Sequence, residues 1–151
     1  MKRYFLFVLG LLLLDQWSKH WVMANMVLGE SWVISPYLSM TYAHNPGAAF
    51  SLLADNLFWQ KALLLSISIL LSLALAIWMY RTPTTERLKL GALSLILGGA
   101  LGNLYDRISL SKVVDFIDLH YNDWYWPVFN LADTWIVLGV VLLLIADSKK
   151  T

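Results

Sequence analysis

The chain has 151 residues, a length that suits one domain, and its 11 Lys and Arg against 10 Asp and Glu give a net charge of +1. With 59% hydrophobic and 14% charged residues and a mean hydropathy of +0.63, it departs from the roughly 25% charged, 45–50% apolar make-up of soluble domains and points to a membrane protein. The near-neutral balance gives no basis for nucleic-acid binding by bulk electrostatics, and the absence of cysteine removes disulfides, zinc thiolate sites and Cys nucleophiles.

Four apolar runs, at about residues 4–27, 57–80, 88–108 and 128–145, each supply the ~17–25 residues that a helix needs to cross a bilayer. The pattern predicts an all-α membrane protein with four transmembrane helices and a small external β-rich segment. Lys2 and Arg3 before the first run resemble the start of a signal peptide. No small-x-small cleavage site follows, and Asp15-Gln16-Trp17-Ser18-Lys19 leads into more apolar sequence, so the run is read as a retained first helix. Asp15 and Lys19 stand one turn apart on one face. They are either an internal pair that fixes helix packing or a direct part of the chemistry. A depth of roughly 16 Å for Asp15, at 1.5 Å per residue, places it near the midplane and away from an external substrate.

Residues 28–56 are too polar to span. Trp32-Val33-Ile34 and the stretch from Tyr37 to His44 hold β-formers separated by turn residues, consistent with a small sheet at the membrane surface. Asn45-Pro46-Gly47 is a turn signal, and Gly47-Ala48-Ala49 permits close backbone approach. Asn45 is either a turn asparagine or a group that orients an extended peptide.

The second run is the clearest span, with no charge from Ala62 to Met79. Thr82-Pro83-Thr84-Thr85 is a short connector. The third run is weaker, because Asn103, Asp106 and Arg107 lie in its last turns. Gly98 and Gly102 form a small-xxx-small pair for close helix approach. Arg107 either snorkels to the interface or pairs with a carboxylate and shapes a site. Residues 109–127 read as a second external loop, with Asp115, Asp118 and Asp123 in it. Trp124 and Trp126 there are interfacial anchors or a cover for a bound peptide. Asn130 and Asp133 are i, i+3 neighbours near the start of the fourth helix, where an ionised carboxylate costs about 2.5–3.5 kcal/mol on insertion scales.

The positive charges set the orientation. Lys2, Arg3, Arg81, Arg87, Lys89, Lys149 and Lys150 fall on one side of a four-span chain, so both termini are expected in the cytoplasm and both long loops outside. Asn103, Arg107, Asp115, Asn130 and Asp133 then map to the external third of the membrane. Polar groups at one depth suit interfacial chemistry, whereas a proton or ion path needs them at successive depths. Two nearby carboxylates in apolar settings would share one proton, as in aspartic proteases. A small transporter and a structural subunit with packing carboxylates are the competing classes.

The motifs in their order resemble the bacterial lipoprotein signal peptidase family, also called signal peptidase II. They are Asp15-Gln16-Trp17-Ser18-Lys19; His44-Asn45-Pro46-Gly47-Ala48-Ala49-Phe50-Ser51; Gly98 to Arg107; Val114-Asp115-Phe116-Ile117; and Phe129-Asn130-Leu131-Ala132-Asp133-Thr134. The resemblance implies an aspartic endopeptidase that cleaves diacylglyceryl-modified prolipoproteins on the amino side of the lipidated cysteine, with Asp115 and Asp133 as catalytic acids. It further implies Asn45, Asn103, Arg107 and Asn130 as substrate-binding or site-supporting groups, and Asp15 as structural support. Neither metal nor organic cofactor is expected. The expected protein is a single-domain monomer of the bacterial inner membrane, surrounded by lipid, with its site near the periplasmic face.

Overall fold

The computed structural model describes residues 1–47 and 58–148. Part of the His44–Ser51 motif, the end of the first external segment, and Lys149 and Lys150 lie outside the described residues. The order is α1 (Lys2–Asn25), β1 (Ser31–Ser35), β2 (Leu38–Asn45), α2 (Phe58–Arg81), α3 (Arg87–Leu110), β3 (Val113–Tyr121), β4 (Trp124–Tyr125) and α4 (Leu131–Ser148). By length and composition α2, α3 and α4 can each cross a membrane. Helix α1 is as long as α2, but its second half carries Asp15, Gln16, Lys19 and His20.

Helix α3 is the centre, packed against α1, α2 and α4. Its glycines make this possible. A Cβ on Gly98 would come within 2.9 Å of Leu11 in α1, one on Gly99 would run into the carbonyl oxygen of Ala132 in α4, and one on Gly102 would stand 2.5 Å from Asp15 Oδ2. Small residues therefore set how closely three helices approach, as in membrane bundles, where close packing replaces the hydrophobic effect as the driving force. Val8, Met79, Leu90, Leu93 and Leu97 fill the space between α1, α2 and α3. The outward faces show the reverse of a soluble pattern: Leu6, Leu70 and Leu144 are each about two-thirds exposed. A helix faces outward with leucine at little cost when its surroundings are hydrocarbon.

The four strands form one antiparallel sheet in the order β1-β2-β3-β4. The β-rich first external segment supplies only half of it. The second external segment, expected as a loop, contributes the nine-residue β3. The first four residues of β3 are buried without alternation, because β2 and the chain before α4 flank them and α1 and α3 pack against the strand. Val114 and Phe116 join Val22, Met26 and Tyr42 in a second core under the sheet. At the outer end, Tyr37 stacks on Tyr121 and His120 on Tyr125, and Trp124 and Trp126 stay exposed.

Helix α4 begins at Leu131 rather than near Val128. The preceding residues are extended, and Phe129 forms a bridge with Ile117. This shortens the fourth helix at its N-terminal end and turns its first polar residues toward α3 and β3.

Candidate active site

Two acids far apart in sequence meet because β3 is paired on both edges. Asp115 lies opposite Ala43 of β2. On the other edge the Phe116 and Ile117 N–H groups donate to Phe129 O at 2.9 and 2.7 Å, and the Phe129 N–H returns to Ile117 O at 3.0 Å. The residue after Phe129 is Asn130, so this pairing lays the start of α4 alongside Asp115.

Asn130 and Asp133 start α4 with a reciprocal cap. Asn130 Oδ1 accepts the Asp133 N–H at 3.0 Å, and Asp133 Oδ2 accepts the Asn130 N–H at 3.2 Å. This is the capping-box arrangement, in which two otherwise orphaned helix donors are satisfied reciprocally. It also puts a carboxylate at the positive end of the helix dipole. Because Asn130 Oδ1 faces a donor, its Nδ2 must face acceptors, and it donates to Asp115 Oδ1 at 2.6 Å, Asn103 Oδ1 at 3.2 Å and Val114 O at 3.3 Å. One buried asparagine thus holds both acids, Asp115 through its side chain and Asp133 through its backbone.

The other two asparagines follow the same logic. Asn45 Oδ1 accepts the Gly47 N–H at 2.9 Å, in a turn where Gly47 adopts φ 99°, and its amide donates to Asp115. Asn103 Oδ1 accepts from Lys19 at 3.0 Å, and Asn103 Nδ2 donates to Asp133 Oδ1 at 2.8 Å. Each amide has its oxygen occupied by a fixed donor and its nitrogen aimed at a carboxylate. Arg107 Nη1 donates to the Asn103 carbonyl at 3.3 Å, and its guanidinium is close enough to Asp133, Asp106 and Asp115 to interact with all three charges.

Asp115 is 2% exposed. Burial first, and then the negative charge of Asp133, push its carboxyl up to about 7, against the opposing pull of the Asn45 and Asn130 hydrogen bonds and of Lys19. A carboxyl that titrates near neutrality beside a second one suits general acid–base work.

Beneath the two acids is a fully buried charge cluster. Lys19 Nζ lies 2.9 Å from Asp15 Oδ2 and 2.8 Å from Asp106 Oδ2. Asp15 Oδ1 accepts the Ala132 N–H at 2.9 Å, and Asp106 Oδ2 accepts the Val114 N–H at 3.1 Å. Gln16 Nε2 donates to Asp106 Oδ1 at 2.8 Å and to Gly102 O at 3.2 Å. The sequence pairs Asp15 with Lys19 and places Asp106 in the last turns of the third run, but it assigns no partner to Asp106 and no role to Gln16. Asp106 is 1% exposed and lies inside α3, which runs on to Leu110. Its position three residues after Asn103, on the same helix face, was the available signal. The Asp15 carboxylate lies beside the first turn of α4, through its contact with the Ala132 N–H.

Asp118 accepts from Thr41 Oγ1 at 2.8 Å and belongs to the sheet. Two cavities adjoin the site, one at Asn45 and Arg107 and one at Asp133. One of about 260 Å³ is lined by Asn45, Arg107, Lys61 and Lys112 with apolar residues of α2. The other, of about 300 Å³, runs from Asp133 past Thr134, Val137 and Leu138, beneath Trp126 and Phe129, and is almost wholly apolar.

A family description, Signal peptidase (SPase) II, matches residues 7–148. The chain is 46% identical over 143 residues to the lipoprotein signal peptidase of Yersinia enterocolitica, covering 92% of this chain and 85% of that protein. It is 49% identical over 135 residues to that of Cellvibrio japonicus, covering 89% and 79%. A bacterial membrane enzyme solved by the in meso method at 2.3 Å resolution superposes with a TM-score of 0.86 at 31% identity, over 99% of this chain and 89% of that one. A second, solved at 1.9 Å, gives 0.87 at 31% identity over 100% and 96%. With apolar spanning helices and these neighbours, the protein is a multi-pass membrane protein. A match that begins seven residues in and ends three from the terminus leaves no part of the site outside it, and the chain belongs to the signal peptidase II family.

Proposed function

We propose that this protein is an intramembrane aspartic endopeptidase that removes signal peptides from diacylglyceryl-modified prolipoproteins, cleaving on the amino side of the lipidated cysteine. The observation that carries the reading is Asn130, which ties Asp115 and Asp133 together at the outer end of α4. Asp115 and Asp133 are the catalytic pair. The ionised member takes a proton from a water between them while the water oxygen attacks the scissile carbonyl carbon. The protonated member gives its proton to the carbonyl oxygen. In the collapse of the tetrahedral intermediate the C–N bond breaks, the amine takes the proton from the first carboxyl, and the second is reprotonated by the departing hydroxyl proton.

Asn45, Asn103, Arg107 and Asn130 orient the acids and the peptide. Asp15 supports the fold. The apolar groove along α4 suits an acyl chain that enters from lipid and brings the modified cysteine to Asp133. The sheet and the Trp124–Trp126 edge cover the peptide from outside. Four helices span the bacterial inner membrane as one domain, with both termini in the cytoplasm and the site near the periplasmic face. The chain works as a monomer.

The test is cleavage of a lipidated and a non-lipidated precursor by purified protein. Lipid-dependent cleavage that disappears in Asp115→Asn and in Asp133→Asn is expected. Wild-type turnover in either variant removes the dyad. Shortening the β3–β4 turn between Tyr121 and Trp126 should slow turnover, and an unchanged rate would exclude the covering role.

A further inference from the structure

Lys19 is 0% exposed and lies in α1, below the two acids. An ammonium group has three donors and no acceptor. All three are committed, to Asp15 Oδ2 at 2.9 Å, Asp106 Oδ2 at 2.8 Å and Asn103 Oδ1 at 3.0 Å. The atom of Asn103 that faces Lys19 must therefore be its oxygen. Asn130 Nδ2 approaches the same oxygen at 3.2 Å, so a flipped Asn103 would set donors against donors on two sides. Its nitrogen is left with one direction, toward Asp133 Oδ1 at 2.8 Å.

Both oxygens of Asp133 then face donors, Oδ1 the Asn103 amide and Oδ2 the Asn130 backbone N–H. This is the hydrogen bonding of an ionised carboxylate. Asp115 is more deeply buried and, among the described residues, accepts from the side-chain amides of Asn130 and Asn45. Burial and the Asp133 charge favour its neutral form.

We infer that Lys19 is a positioning residue that divides the roles within the dyad: by holding the Asn103 carbonyl it turns the Asn103 amide onto Asp133, which keeps Asp133 ionised and leaves the resting proton on Asp115. This deepens the reading of Asp115 and Asp133 as the catalytic pair and rests on it. Lys19 touches no substrate: it reaches Asp133 through Asn103, and its charge also acts at longer range on Asp115, in opposition to the burial and Asp133 charge that favour the neutral form there. Among the described residues the charged groups around the pair are Asp15 and Lys19 from α1 and Asp106 and Arg107 from α3, with Lys61 of α2 and Lys112 lining the cavity beside Asn45 and Arg107, while β2 contributes the neutral Asn45. Arg107 interacts more strongly with Asp133 than with Asp115 and so acts in the same direction, whereas the Lys19–Asn103 contact fixes which atom of Asn103 meets Asp133.

Two measurements test this. Infrared difference spectra of the wild-type protein near pH 6 should contain a protonated-carboxyl band that disappears in Asp115→Asn and persists in Asp133→Asn. The opposite assignment overturns the inference, and this arm needs no Lys19 variant to fold. The second arm is the pH profile of kcat. Lys19→Gln, whose amide can present either atom to Asn103, should move the acid-side fall of kcat upward by about one pH unit, a factor of ten at a fixed acidic pH, with little change in KM. Lys19→Gln combined with Asp106→Asn removes one of the carboxylates stranded by the first change. It should recover thermal stability without restoring the profile, and Lys19→Arg should keep the wild-type profile. Recovery of stability and profile together would show a merely structural role and overturn the inference. If Asp115→Asn and Asp133→Asn both cleave at the wild-type rate, the dyad itself has failed, which is a separate result.

Discussion

Asp15 of α1 accepts the backbone N–H of Ala132 at 2.9 Å, across 117 residues of chain and one residue before Asp133. The same carboxylate is 2.9 Å from Lys19. It serves as a cap on another helix and as half of a buried ion pair. Asp15→Ala removes the acceptor and strands Lys19, and breaking a buried pair from one side costs about 3–5 kcal/mol. Asp15→Asn keeps an oxygen for the Ala132 N–H and loses only the charge. Thermal unfolding in detergent should rank wild type above Asp15→Asn and Asp15→Asn above Asp15→Ala. Equal midpoints for all three would mean that neither contact contributes.

Asn130 caps α4 and donates to Asp115, and two substitutions separate these contacts. Asn130→Ala loses the α4 cap, at about 1 kcal/mol, together with the amide that donates to Asp115. Asn130→Asp still accepts the Asp133 N–H, as aspartate caps helices well, but it has no amide donor and brings a third negative charge to the pair. The expected outcome is a lowered unfolding midpoint for the alanine variant, partial recovery for the aspartate variant, and turnover down roughly a hundredfold in both.

The position of Asp115 gives stability a pH dependence whose sign can be worked out. Its carboxyl titrates at 3.8 when unperturbed and at about 7 in the fold. Between those values the folded protein holds the proton more than the unfolded chain does, so stability falls as pH rises through the interval and levels off above it. At about 1.4 kcal/mol per pH unit, the effect is on the order of a few kcal/mol. Asp115→Asn never ionises and escapes this loss. Its unfolding midpoint should match the wild type near pH 4 and exceed it at pH 8, with the gap opening between them. A gap that is constant with pH would mean that Asp115 is not the group responsible.

Glycine substitutions test the helix packing under the site. A Cβ on Gly102 would meet Asp15 Oδ2 at 2.5 Å and Ala132 Cβ at 3.3 Å, whereas Gly10 has no atom within 4 Å of its would-be Cβ. Gly102→Ala should lower both stability and turnover, by roughly 1–3 kcal/mol for the strain of overpacking. Gly10→Ala should leave turnover unchanged. The comparison uses the same chemical change on two helices of one protein.

The apolar runs and the two awkward acids were legible because a carboxylate inside hydrocarbon stands out against leucine. Strand β3 was not. Its alternation is lost where Val113, Val114, Asp115 and Phe116 are all buried, since neighbours on both edges and helices beneath cover them. The start of α4 was misplaced for a related reason: Val128 and Phe129 are as apolar as the helix that follows, and only their pairing with β3 keeps them extended. The Lys19 cluster depends on contacts up to 117 residues apart. No local pattern reports such partners, so a charge in the last turns of an apolar run can be placed on its helix without its partners being known.

The groups that hold the two acids come from α1, β2, α3, β3 and α4. Asp133, the Asn130 cap and the Ala132 anchor all stand at the start of α4. A chain cut before Asn130 keeps Asp115, Asn45, Asn103 and Lys19 but loses the second acid together with the amide that joins the two. On the proposed dyad such a fragment is inert, so the start of one helix decides whether the groups held by the others can act together.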